Sequence, residues 1–176
     1  MGEWNKNKAF GNISESIIEM LINSMPNWKC IKFGVENHIE ELRKAVREKI
    51  TDETRKIKSM PDFIAFNTKT HETLFIEVKY RGFIDKRIAG KSEYKLDFLE
   101  EYLEHWKGTK LIIVHPYKPN FFVINLDDVK MEMRHKKENG IWWDFASIEK
   151  NINDLFPDLK EDVLEDAKKL IPSDKE

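Results

Sequence analysis

Two short apolar runs decide how this chain folds: Met60-Pro-Asp-Phe-Ile-Ala-Phe66 and, after the polar stretch Asn67 to Thr73, Leu74-Phe-Ile-Glu-Val-Lys-Tyr80. Both are rich in β-branched and aromatic residues and bounded by turn formers, the composition of strands. Their spacing predicts a hairpin. Residues two apart in a strand share a face, so Glu77 and Lys79 point the same way. With the turn centred near Thr70 and His71, Asp62 falls opposite Val78 or Lys79, within cross-strand reach of Glu77 and Lys79. Two carboxylates and one ammonium then converge at a strand end.

A plain alternative makes Asp62 the start of a strand and Glu77 with Lys79 a solvent-facing pair on a sheet edge. The neighbours speak against it. Ile64, Phe66 and Phe75 share the face of the charges, and Leu74, Ile76 and Val78 make the other face apolar, as in a sheet covered on both sides. Charges in such a strand are costly unless they have a task. Two close carboxylates raise each other's pKa unless a cation sits between them. A hard ion such as Mg²⁺ accepts a pair of carboxylate oxygens while keeping its waters. It acidifies a bound water and neutralises charge on a phosphate. Lys79, a compact point charge, would stabilise the pentavalent phosphate or help deprotonate the attacking water.

Outward from this hairpin, helical spacing covers residues 12–24, with Asn12 as N-cap, Ile13, Ile17, Met20 and Leu21 in phase, and Pro26 after the end. Residues 28–35 read as a strand and 38–50 as a second helix with Ile39, Leu42, Val46 and Ile50 on one face. Residues 51–60 read as a polar, basic loop, and Arg81 to Lys91 as another. Ser92 caps a helix over 93–106 that turns Leu96, Leu99, Leu103 and Trp106 inward. Strands follow at 111–114 and 121–126, split by His115-Pro-Tyr-Lys-Pro-Asn120. A helix is expected over 127–137, ended by Gly140. An aromatic patch of Trp142, Trp143 and Phe145 comes next, then closing helices at 147–155 and 158–170. The order implies an α/β fold, a mixed β-sheet flanked by helices.

A length of 176 residues suits a single domain, residues 1–176, with a sizeable core. No apolar run approaches a membrane span, and Met1-Gly-Glu-Trp-Asn-Lys6 lacks the apolar centre of a signal peptide. Cys30 is the lone cysteine, which excludes an internal disulfide or a cysteine-rich zinc site. A cytoplasmic protein without a membrane partner is expected. The net charge of −2 is unevenly spread: residues 126–176 hold 9 basic against 14 acidic residues, leaving 21 against 18 for residues 1–125. The basic excess lies in Arg43 to Lys58 and around Lys79 to Lys95, a distribution compatible with nucleic-acid binding.

Pro61-Asp62, followed at hairpin distance by Glu77-Val78-Lys79, resembles the signature of the PD-(D/E)XK nuclease superfamily. With Gly11-Asn-Ile-Ser-Glu15 on an opening helix, the order is most similar to archaeal Holliday junction resolvases and Mrr-type restriction endonucleases. The resemblance covers about residues 10–126, an α-β-β-β-α-β core, and leaves 127–176 as a helical C-terminal extension. It implies a restriction-endonuclease-like fold and a Mg²⁺-dependent endonuclease, with Mn²⁺ able to substitute, acting on duplex or branched DNA as a homodimer. Asp62, Glu77 and the Val78 carbonyl would bind metal, Lys79 would be the catalytic lysine, and Glu15 the accessory carboxylate. One departure is plain: many relatives carry a glutamine on the helix after the lysine strand, and this chain has no glutamine, leaving Tyr94 or Lys95 for that place.

Other residues have competing readings. With Asn12 as N-cap, Glu15 completes a capping box at N3, and Glu19 competes with it for the accessory role. Arg81, Lys86, Arg87 and Lys91 are phosphate contacts from the basic loop, with Lys58 beside them, while charge runs elsewhere are solvated faces. His38, His71, His105, His115 and His135 lack metal-ligand spacing. Leu155, Leu159, Val163 and Leu170 serve either a dimer interface or packing within the chain. Rival functions are an inactive nuclease-fold module that binds nucleic acid or protein, and a carboxylate-based metal-binding regulatory domain.

Overall fold

The computed structural model describes residues 3–34, 51–82 and 93–172, together with Lys44 and Glu48. The helix expected over 38–50 and the basic loop with Lys86, Arg87 and Lys91 lie outside the described residues, apart from those two helical positions.

Helix α1 runs Glu3–Ser24 and strand β1 Trp28–Lys32. Then come α2 Asp52–Lys58, β2 Phe63–Asn67, β3 Thr73–Tyr80, β4 Glu93–Lys95 and α3 Leu99–His105. Strands β5 Lys110–Val114 and β6 Phe121–Asn125 precede a hairpin of β7 Arg134–Lys137 and β8 Gly140–Asp144. The short β9 Lys150–Asn151 leads into α4 Ile152–Leu155 and α5 Glu161–Leu170.

Among the described residues, six strands form one mixed sheet in the order β1-β2-β3-β5-β6-β9, and β4-β8-β7 form a second. Strands β3 and β5 are parallel, with Glu77 opposite Leu111 and Lys79 opposite Ile113; the other pairs in the large sheet are antiparallel. Helices cover one face: Ile17, Ile18, Leu21 and Ile22 of α1 and Leu164 and Ala167 of α5 pack with Ile76 and Val78. The opposite face meets α3 and the small sheet, where Leu99, Tyr102, Tyr94 and Trp143 pack with Leu111 and Ile113. The chain is therefore a mixed α/β fold with layers on both sides of a central sheet. No helix among the described residues is long and apolar enough to cross a membrane.

Several expectations are corrected. Helix α1 begins at Glu3, so Asn12 is inside it and neither caps it nor makes Glu15 a capping partner. Residues 52–58 form a helix rather than a loop: Thr51 accepts from the Thr54 amide while the Thr54 hydroxyl accepts from the Thr51 amide, a reciprocal capping box with threonine at N3. Residues 93–95 pair with β8 as a strand, and the helix starts only at Leu99. In place of a helix over 127–137 there are two 3-10 turns and β7. Glu138-Asn139 is the turn of a hairpin, and Gly140, which opens β8 opposite Lys137, takes φ 137°, a conformation glycine adopts without a Cβ penalty. The closing helices are shorter than expected. Leu159 is buried, Leu155 and Val163 pack on the core, and Leu170 alone of the four remains 55% exposed.

At the end of β5, His115 is fully buried with its ring stacked on Phe122 at 5.0 Å, and its Nδ1 accepts from the Tyr117 amide. Burial pushes its pKa down from 6.5 to about 4. The fold accepts the neutral ring, so as pH falls the unfolded chain takes up a proton first. The stability in question is complete above pH 6.5 and is lost as pH drops towards 4. The loss amounts to about 3 kcal/mol for this one group. Denaturation midpoints measured across that window should fall in the wild type and flatten in His115→Gln. An unchanged slope in the variant would assign the acid sensitivity to other groups.

Candidate active site

The site begins with a proline. Pro61 has no amide proton, so the β2–β3 ladder cannot continue regularly beyond Phe63 opposite Ile76. Next to it the Asp62 side chain bonds to the neighbouring strand: its Oδ2 accepts from the Val78 amide at 2.8 Å. Its own carbonyl accepts from the amides of Phe33 (2.8 Å) and Gly34 (3.4 Å), holding the exit of β1 against the start of β2. Asp62 is thus fixed from both sides. Continuing the observed register places it opposite Glu77, one to two residues from the expected partner. The cause is the turn. The Asn67 side chain accepts from the amides of Lys69 (2.9 Å) and Thr70 (3.0 Å), and His71 takes φ 63°, which moves the centre of the hairpin.

Glu77 is 2% exposed, and its Oε2 is buried with no hydrogen-bond partner. The other oxygen receives the Lys79 ammonium. Lys79 keeps 35% of its side-chain exposure and so joins the buried carboxylate to solvent. Burial alone would lower its pKa, but the Glu77 and Asp62 carboxylates outweigh this and raise it, keeping the ammonium protonated. The structure therefore brings Asp62, Glu77 and Lys79 together as one electrostatic unit.

Tyr102 on α3 completes the group and was not singled out in the sequence. It is 8% exposed, and burial together with the Glu77 and Asp62 carboxylates pushes its phenol pKa far up. Its signal was present: Tyr102 follows Leu99 by three and precedes Trp106 by four, so it shares their helix face. Tyr102 lies on the helix that follows β4, and it lines one cavity together with Glu77 and Lys95. Tyr94 instead packs in the core, its ring stacked on Phe145 at 6.1 Å.

The group opens into a cavity of about 110 Å³ lined by Glu77, Lys79, Arg81, Lys95, Phe98 and Tyr102 among others. Arg81 is anchored at its rim, donating to the carbonyls of Tyr80 (2.8 Å) and Lys95 (3.0 Å). Burial lowers the Arg81 pKa against the pull of Tyr94, Asp97 and Glu77; a guanidinium nevertheless stays charged. Lys58 is exposed in the last turn of α2. Glu15 is half-buried on α1, the helix that packs on the Ile76 and Val78 face, opposite the face of Glu77 and Lys79.

This donor set fits a small hard cation. Two carboxylates share one locus, and a buried oxygen of one of them lacks any donor. An orphan of that kind is costly unless something satisfies it.

No family model matches the chain, and no curated protein matches it. Among solved structures, it is similar to Hjc, a Holliday junction resolvase from the archaeal hyperthermophile Archaeoglobus fulgidus. The two share 12% sequence identity with a TM-score of 0.43, over 89% of this chain and 99% of that one. That likeness is slight. The chemistry of the site stands on its own residues.

Proposed function

We propose that this chain is a divalent-metal-dependent endonuclease that hydrolyses DNA phosphodiester bonds. The observation that carries the reading is the buried, unpartnered Oε2 of Glu77 beside Asp62 and Lys79, in a cavity that Arg81 and Lys95 also line. Asp62 and Glu77 would hold Mg²⁺ or Mn²⁺, with the Val78 carbonyl as a third ligand. A bound ion supplies an acidified water and charge neutralisation at the phosphate.

The chain's own residues do the rest. Lys79, held protonated by its two carboxylates, acts as a cation towards the scissile phosphate rather than as the base that activates water. The Val78 amide fixes the rotamer of Asp62, so this carboxylate is pre-oriented before substrate arrives. Tyr102 closes the inner wall, presenting a neutral hydroxyl beside Glu77. Arg81, whose guanidinium has five N–H donors, keeps others for a DNA phosphate while two backbone carbonyls hold it in place. Lys58, Lys86, Arg87 and Lys91 extend the phosphate contacts. Glu15 as an accessory carboxylate has the family resemblance as its support, and so have the homodimer and the preference for duplex or branched DNA.

The test is direct. Purified protein is incubated with supercoiled, linear, single-stranded and four-way-junction DNA under Mg²⁺, under Mn²⁺ and with EDTA. Cleavage of at least one substrate with either ion, abolished by EDTA, is expected. Survival of every substrate under both ions would leave the chain as a binding module built on the same fold.

A further inference from the structure

A second group of metal donors lies on the small sheet, away from the proposed catalytic carboxylates. His135 has no ligand-like spacing from any other histidine, which hid it in the sequence. Strand pairing supplies what spacing does not. Glu93 on β4 is opposite Asp144 on β8, and His135 on β7 is opposite Trp142, two residues from Asp144 on the same strand. Directly opposite residues and residues two apart share a face. Glu93, Asp144 and His135 therefore project from the same side of the sheet. The buried Tyr94 and Trp143 take the alternate positions. One ligand atom from each of the three lies within 4.8 Å of the other two.

We propose that Glu93, His135 and Asp144 bind a borderline transition-metal ion, Zn²⁺ being the best fit. An imidazole with two carboxylates is a donor set for Zn²⁺ rather than for Mg²⁺, which takes oxygen ligands. Three protein ligands leave a position for water. The surroundings are built for it. The Ala146 amide donates to Asp144 Oδ1 at 3.0 Å, which holds that carboxylate in place and leaves Oδ2 for a cation. Glu93 is only 17% exposed at its side chain and already attracts a cation, the Lys137 ammonium, at 2.6 Å. The ammonium lies at the same time 4.5 Å over the Trp142 ring, and a metal ion at Glu93 would displace it from the carboxylate. Because the three ligands come from three strands, the ion would clip β4 and β7 to β8. Strand β4 has only three residues, so it gains most from such a clip.

Isothermal titration with Zn²⁺, in excess Mg²⁺, reads the site, and thermal unfolding reads the clip. The wild-type chain and Asp62→Asn should each bind about one equivalent and melt higher with Zn²⁺. His135→Ala and Asp144→Asn should bind about tenfold more weakly or worse, and lose the shift in melting. Both substitutions lie on the outward face, and asparagine still accepts from the Ala146 amide, so folding is preserved. Zn²⁺ binding that is absent from the wild type, or unchanged in both His135→Ala and Asp144→Asn, overturns the proposal. Loss of binding in Asp62→Asn overturns it too, by moving the ion to the other carboxylates. A failure to cleave DNA leaves these readouts untouched, so the two readings fail separately.

Discussion

Asp62→Asn and Glu77→Gln will each lower metal-dependent DNA cleavage by about a thousandfold or more, while the chain stays folded. Each substitution removes one negative charge from the two carboxylates proposed to hold the cation and keeps the side chain's volume. A metal contribution of several kcal/mol, lost in full, corresponds to about three powers of ten in rate. The structural cost is small by comparison. In Asp62→Asn the amide oxygen would still accept from the Val78 amide, the bond that Asp62 makes at 2.8 Å. At position 77 the neutral amide deprives Lys79 of a charged partner, but that ammonium keeps 35% exposure and the Asp62 carboxylate beside it. The loss of folding stability should therefore stay at about 1–2 kcal/mol, below the roughly 3–5 kcal/mol of a fully buried pair. Cleavage rates and urea midpoints measured on the same preparations check both halves. Undiminished cleavage by Asp62→Asn would remove this site from the chemistry. A collapse in stability equal to the loss of activity would make the cluster structural.

The largest loss of stability from a single substitution is expected at Trp143. Its side chain is fully buried at the centre of the second core, and its indole N–H donates to the Leu96 carbonyl at 3.2 Å. Trp143→Ala leaves a large cavity and removes one of the two donors to the Leu96 carbonyl, which keeps the Leu99 amide, a cost of about 4 kcal/mol. Trp142, one residue earlier, points to the outward face and donates to the Asn139 side chain at 2.9 Å; its replacement by alanine should cost about 1 kcal/mol or less. Denaturant unfolding of the two variants separates them. Equal costs would mean that the β7–β8 hairpin does not present alternate faces as described.

The hairpin of the candidate site was legible because its two signals are short in range and independent: apolar strand composition, and charges at positions where burial punishes them. Register was less so. A difference of a residue or two depended on the Asn67 side chain bonding to the Lys69 and Thr70 amides, a local preference that alternation does not report. Residues 93–106 carry helical spacing from Leu96 onward, but Glu93-Tyr94-Lys95 also alternates, and pairing with β8 decided in favour of a strand. Residues 127–137 contain enough charged helix formers to suggest a helix. The strand there is set from downstream, by the Glu138-Asn139 turn with Gly140 after it and by Trp143 needing a buried face. Tyr102 was hidden for a different reason: helix spacing showed it facing inward, yet only the fold reveals that inward means Glu77.

Tyr80 follows Lys79 directly, and its ring is held from two remote parts of the chain. Phe10 on α1 meets it edge-on with centroids 5.2 Å apart, and its hydroxyl donates to the Pro172 carbonyl at 2.8 Å. Segments from opposite ends of the chain thus close on a side chain adjacent to the ammonium of the site. The residue proposed to meet the phosphate is therefore braced by segments that carry no chemistry themselves. Loss of either contact would loosen the residue next to Lys79, so the competence of the site should depend on segments distant from it in sequence.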